Sequence, residues 1–241
     1  MRRLSALLLL LFTLPPALAA IPADTHLPAG IGACSVAAPC PVAVLSPGYG
    51  LAGTDYGFLT RQLNGMGYLV LALRDSAGGA TIDRGAPITP QVQAIARATA
   101  RGIAALLAEG AARDRRFDWR RVLLVGHSLG GDSSAQFAAD YPGRVSALVS
   151  LDNRRVALPR ADGIRVLSIR ASDTVADPGV LPDEAEQRRH GSCIVRIEGA
   201  RHNDMQDEGS ARLKETILAI LETFLAPARQ PAYACAPAPA S

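Results

Sequence analysis

The chain holds 241 residues, 49% of them apolar and 20% charged, with a formal charge of +3. That composition fits one folded domain with a sizeable core and excludes a disordered or low-complexity chain. Two arginines, Arg2 and Arg3, lie in a segment expected to be removed, which leaves 23 basic against 22 acidic residues and no electrostatic footprint for nucleic acid or anionic lipid.

Residues 1–19 read as a signal peptide. A short basic start precedes an apolar run over 4–14, shorter than the ~20 residues that cross a bilayer. Pro15 and Pro16 break the run, and Ala17, Leu18 and Ala19 give a small-x-small cleavage pattern. The expectation is an exported protein, secreted or periplasmic, with no membrane anchor once the leader is cleaved. Residues 20–226 are expected to form the folded domain and the Ala/Pro-rich residues 227–241 a tail. Four cysteines remain, and an even number in an exported chain points to two disulfides. Cys34 and Cys40 flank a short turn-like stretch and are expected to bridge locally, which leaves Cys193 to pair with Cys235.

The elements then alternate. Residues 41–46 read as a strand running into Pro47, Gly48, Tyr49 and Gly50. A helix over 54–65, a strand over 68–73, a glycine-rich loop over 74–89 and a long helix over 90–112 follow. Next come a strand over 121–125, a helix over 129–141 stopped by Pro142 and Gly143, and strands over 145–151, 164–169 and 193–197. An amphipathic helix over 210–225 ends the series. Strands alternating with helices argue for an α/β fold on a mostly parallel sheet. Near-continuous apolar strands argue for helices on both of its faces.

Gly126, His127, Ser128, Leu129, Gly130 and Gly131 directly follow the 121–125 strand and open a helix. G-x-S-x-G in that strand–turn–helix context forces the serine onto a tight turn, with Gly126 and Gly130 supplying room two residues to either side. Ser128 is thereby exposed at a helix N-terminus, where backbone N–H groups face developing negative charge. A serine hydroxyl needs a base. Of the four histidines, His26 precedes the core strands, His127 points away from its neighbour, and His190 lies in a charged helix-like segment. His202 follows the last strand, at the sheet edge that carries Ser128, because parallel strands deliver their C-terminal ends to one side. The base needs an acidic partner. Asp173 is closest to the end of the 164–169 strand, with Asp177 and Asp152 as the other candidates. The N–H groups of Tyr49 and Leu129 are placed to cradle an oxyanion. Arg74, Asp75 and Arg84 lie in the loop that would wall the site.

These motifs resemble the α/β-hydrolase superfamily from about residue 41 to 225. SPGYG at 46–50, GHSLGG at 126–131, ASDTVAD at 171–177 and ARHND at 200–204 resemble bacterial cutinase-like and polyester hydrolases, with similar patterns in chlorophyllases and platelet-activating-factor acetylhydrolases. The resemblance implies a serine nucleophile at Ser128, the base at His202, the acid at Asp173, and an oxyanion hole from Tyr49 and Leu129. It implies hydrolysis of carboxylic esters through an acyl-enzyme, without cofactor or metal, by a monomer acting on small-molecule or lipid-like esters. Only 153–163 separates two strands where relatives insert lids, so no cap domain is expected. Acyl transfer to an alcohol shares the same acyl-enzyme and stays open beside hydrolysis, as does a non-catalytic binding module on the same fold.

Overall fold

Along the central strands successive side chains leave on opposite faces and both sets are apolar, so the sheet must be covered twice. The computed structural model describes residues 19–226. It has seven strands: β1 (Ala23–His26), β2 (Cys40–Ser46), β3 (Leu69–Leu73), β4 (Phe117–His127), β5 (Val145–Leu151), β6 (Arg165–Arg170) and β7 (Ser192–Arg196). Their order is β1-β3-β2-β4-β5-β6-β7. All neighbours pair parallel except β1, which runs antiparallel to β3. The helices are α1 (Gly57–Gly65), α2 (Ile88–Arg113), α3 (Leu129–Asp140), α4 (Glu184–His190) and α5 (Ala211–Leu225).

Ala43 and Leu45 of β2 face one core with Val70, Leu123 and Val149, under Leu59 and Leu63 of α1 and Ile217 and Leu221 of α5. Val42 and Val44 face the other core with Leu71, Leu124 and Leu148, under Ala100, Ile103 and Leu107 of α2 and Phe137 of α3. The helix ends follow from local chemistry. Ser210 caps α5 by accepting the Leu213 N–H, and Asp183 does the same for Glu186 at α4.

Two elements depart from the sequence expectation. β4 starts four residues before the expected 121: Phe117 and Trp119 alternate with Asp118 and Arg120, and this stretch pairs with Cys40 and Pro41 before the register shifts. β1 has no apolar pattern, being an edge strand held by its backbone against β3. Residues 1–18 of the expected leader and the 227–241 tail lie outside the described residues.

Cys34 and Cys40 are bridged, as expected. Cys193 is also disulfide-bonded, and its expected partner Cys235 lies outside the described residues. Peptide mapping of the non-reduced protein checks that second pairing. Removing the first bridge with the double substitution Cys34→Ala, Cys40→Ala is expected to cost about 2 kcal/mol, because the loop it closes is short. Denaturant titration measures this, and an unchanged midpoint would contradict it.

Candidate active site

The parallel strands bring five loops to one edge. Ser46 pairs with Gly126, His127 with Leu151, Leu151 with Ile169, and Arg170 with Arg196, so the C-terminal ends of β2, β4, β5, β6 and β7 lie side by side. Ser128 follows β4 with φ 52° and ψ −119°, a conformation strained for any residue but glycine. Close packing holds it there. A Cβ on Gly130 would stand 2.0 Å from the Ser46 carbonyl oxygen, and one on Gly126 would stand 2.4 Å from the Gly130 oxygen. The expected reason for both glycines is therefore visible in the contacts they permit. The same approach sets Pro47, Gly48 and Tyr49 beside the first turn of α3. There the Leu129 N–H, first in its helix, has no acceptor within it.

His202 Nε2 lies 2.9 Å from Ser128 Oγ. On its other side, His202 Nδ1 lies 2.5 Å from Asp152 Oδ2. The acid expected at Asp173 is thus displaced: Asp173 Oδ1 accepts the backbone N–H of His202 at 2.8 Å and orders the loop, not the ring. Asp177, the other candidate, pairs with Arg155 and accepts the Thr89 hydroxyl. Asp152 is fully buried, whereas Asp173 is exposed. It sits directly after β5 in the left-handed region, φ 56°, which turns its side chain under the imidazole. Oδ1 faces the Arg170 guanidinium at 2.8 Å and accepts the Ala171 N–H at 3.2 Å; Oδ2 also accepts the Thr174 hydroxyl. Burial works to raise the Asp152 pKa, but the bond from His202, the Arg170 charge and the Thr174 hydroxyl outweigh it and hold the carboxyl below its usual value. An ionised carboxylate only accepts, so His202 carries its proton on Nδ1 and presents a lone pair on Nε2 to the Ser128 hydroxyl.

A second histidine completes the arrangement, and sequence reasoning missed it. His127 is buried, with Nε2 3.0 Å from the His202 carbonyl oxygen and Nδ1 2.7 Å from the Tyr56 hydroxyl. A carbonyl only accepts, so Nε2 carries the proton and Nδ1 takes the Tyr56 O–H. The Tyr56 oxygen in turn accepts the Gly48 N–H at 3.0 Å. This chain joins the residue before Tyr49, the residue before Ser128 and the backbone of His202. A Cβ on Gly48 would stand 3.0 Å from His127 Nδ1 and 3.3 Å from the Tyr56 hydroxyl, so a side chain there would press on this chain. Burial and the neighbouring His202 push the His127 pKa down to about 3.

A cavity of about 340 Å³ opens on Ser128, lined among others by Tyr49, Leu129, Ile82 and Val92. The 152–164 connection between β5 and β6, where a cap would be inserted, carries no helix. Of the expected wall residues, Arg74 pairs with Asp24 and Asp75 accepts the N–H groups of Ala77 and Gly79, which fastens the loop; Arg84 lines the cavity. His190 lies 3.1 Å from the exposed Asp162 and takes no part.

Known proteins share this architecture. A family model described as alpha/beta hydrolase fold matches residues 103–189, which include Ser128 and Asp152. A Drosophila melanogaster protein named "Probable serine hydrolase" is 28% identical over 102 residues, 41% of this chain and 30% of that protein, so this chain spans under a third of that relative's length. Among solved structures, a ferulic acid esterase from Streptomyces cinnamoneus matches with TM-score 0.52 and 22% identity, over 70% of this chain and 54% of that one. Esterase PE8 matches with TM-score 0.60 and 17% identity, over 86% of this chain and 100% of that one. Est1E from Butyrivibrio proteoclasticus matches with TM-score 0.57 and 16% identity, over 85% and 94%. At these identities the likeness is one of fold.

His127 makes stability depend on pH with a definite sign. Unfolded, its imidazole titrates near the ordinary 6.5; folded, near 3. Between those values the unfolded chain binds a proton that the folded chain refuses, so stability is lost as pH falls below 6.5, at up to about 1.4 kcal/mol per pH unit. Above 6.5 the group contributes no slope. Urea midpoints between pH 7.5 and 4.5 should therefore fall for the wild type and flatten for His127→Gln. An equal acid slope in both would contradict the assignment.

Proposed function

The chain has the α/β-hydrolase fold, and from that premise we propose that it is a serine esterase that cleaves carboxylic esters through an acyl-enzyme on Ser128. The single observation that carries this reading is the unbroken line from Ser128 Oγ through both nitrogens of His202 to the buried Asp152 carboxylate.

In the first half-reaction His202 Nε2 takes the Ser128 proton as Oγ bonds to the ester carbonyl carbon. The carbonyl electron pair moves onto oxygen, where the N–H groups of Tyr49 and Leu129 receive it. Asp152 stabilises the imidazolium and keeps its proton on Nδ1. Collapse breaks the bond to the alcohol oxygen, and His202 delivers its proton to that leaving group. Water then attacks the acyl-enzyme with His202 as base, and the proton returns to Ser128 Oγ as the carboxylic acid leaves. The open cavity fits a small-molecule ester with free access for that water.

The reading includes export from the cytoplasm, supported by the leader-like composition of residues 1–19 and by the Cys34–Cys40 bridge. Among the described residues no helix is long and apolar enough to cross a membrane.

A fluorophosphonate probe is expected to label the protein at Ser128 alone, and Ser128→Ala is expected to lower kcat on p-nitrophenyl butyrate by about 10⁶-fold. Labelling that survives the alanine substitution would overturn the nucleophile and the mechanism with it.

A further inference from the structure

The wall of the Ser128 cavity carries more positive charge than its own carboxylates balance. Arg84, Arg154 and Arg155 line it together with Tyr49, Ile82, Ile88 and Val92. Arg155 is ion-paired with Asp177. The carboxylate among the lining residues, Asp132, is buried and its Oδ1 accepts the backbone N–H groups of Arg154, Arg155 and Val156 at 3.2, 2.8 and 2.9 Å. Arg170 is occupied by Asp152. The guanidinium groups of Arg84 and Arg154 are left with no carboxylate among the described residues.

Arg154 is the more telling of the two, being half-buried and held from both sides. Its N–H is fixed on Asp132, and its carbonyl accepts the Asp177 N–H at 2.9 Å. Asp177 in turn takes the Thr89 hydroxyl at 2.7 Å, which ties this loop to the start of α2. A guanidinium on an immobilised backbone, partly withdrawn from water and lacking an internal anion, is prepared to receive one from outside. The apolar residues beside it provide contact for a short hydrocarbon segment between that anion and the ester.

Resting on the esterase reading of this same site, we propose that the preferred substrate is an ester carrying a second, ionised carboxylate a few carbon atoms from the scissile bond. Arg154, with Arg84 at the rim, holds that carboxylate while Ser128 attacks the ester carbonyl. The group is recognised as a charge and plays no part in bond-making.

The test uses matched pairs of esters that differ only in charge. One pair places the charge on the acyl side, p-nitrophenyl hemiglutarate against p-nitrophenyl valerate. The other places it on the alcohol side, para-acetoxybenzoate against its methyl ester. Wild-type kcat/KM should favour the anionic member of at least one pair by about tenfold or more, mainly through KM. The preference should shrink with added salt. It should collapse toward unity in Arg154→Gln, survive in part in Arg154→Lys, and weaken in Arg84→Gln. Hydrolysis of the neutral members with no preference in either pair would overturn the subsite while the esterase reading stands. So would a preference that Arg154→Gln leaves intact. No turnover of any ester, together with no fluorophosphonate labelling of Ser128, would overturn the esterase reading and this inference with it.

Discussion

A carboxylate taken wholly out of water must either find donors or give up its charge. Asp152 stands under that constraint at the end of β5, and most of the active edge is arranged around it. Arg170 and the Ala171 N–H reach it from the end of β6, Thr174 from the loop beyond, and the His202 ring from the loop after β7. One side chain thus ties the loops after β6 and β7 to its own. Its left-handed backbone fits the same picture, since an extended residue would continue β5 instead of turning back under the imidazole. Without Asp152, Arg170 would be a buried charge lacking its counter-ion, so the site and the local fold share the same interaction.

The two histidines at the centre have opposite duties. In the proposed mechanism His202 exchanges a proton with Ser128, whose Oγ lies 2.9 Å from its Nε2. His127 is kept neutral by burial, and its two ring nitrogens are committed to one acceptor and one donor. A fixed tautomer is useful because the His202 carbonyl at one end and the Gly48–Tyr49 turn at the other belong to parts that must stay in register. Gly126 and Gly130 serve the same end from the backbone side by letting loops approach to distances that a Cβ would forbid.

Much of this was legible in the sequence. The strand–turn–helix setting of Ser128 and the edge position of His202 follow from parallel-sheet geometry alone, and the structure brings the two within hydrogen-bond distance. The carboxylate that meets the imidazole was not legible. Asp152, Asp173 and Asp177 all follow strands at the same edge, and only the direction of each side chain separates them. Asp152 is chosen by a positive φ and by Arg170, neither of which leaves a local pattern; Asp173 is close enough to His202 to be spent on its N–H. Nothing in the sequence around Tyr56 shows that its hydroxyl is used. β1 escaped notice because an edge strand needs no apolar alternation.

Comparing Asp152→Asn with Asp173→Asn on one ester tests the central claim most directly, with kcat expressed per folded molecule, the folded fraction being read from near-UV circular dichroism. Asparagine at 152 can offer the imidazole an N–H and thereby favour the wrong tautomer, so kcat should fall by about 10⁴-fold. At 173 only a bond to the His202 backbone is weakened, and the loss should be about tenfold or less. A large loss at Asp173 with most activity kept at Asp152 would contradict the assignment of the buried carboxylate.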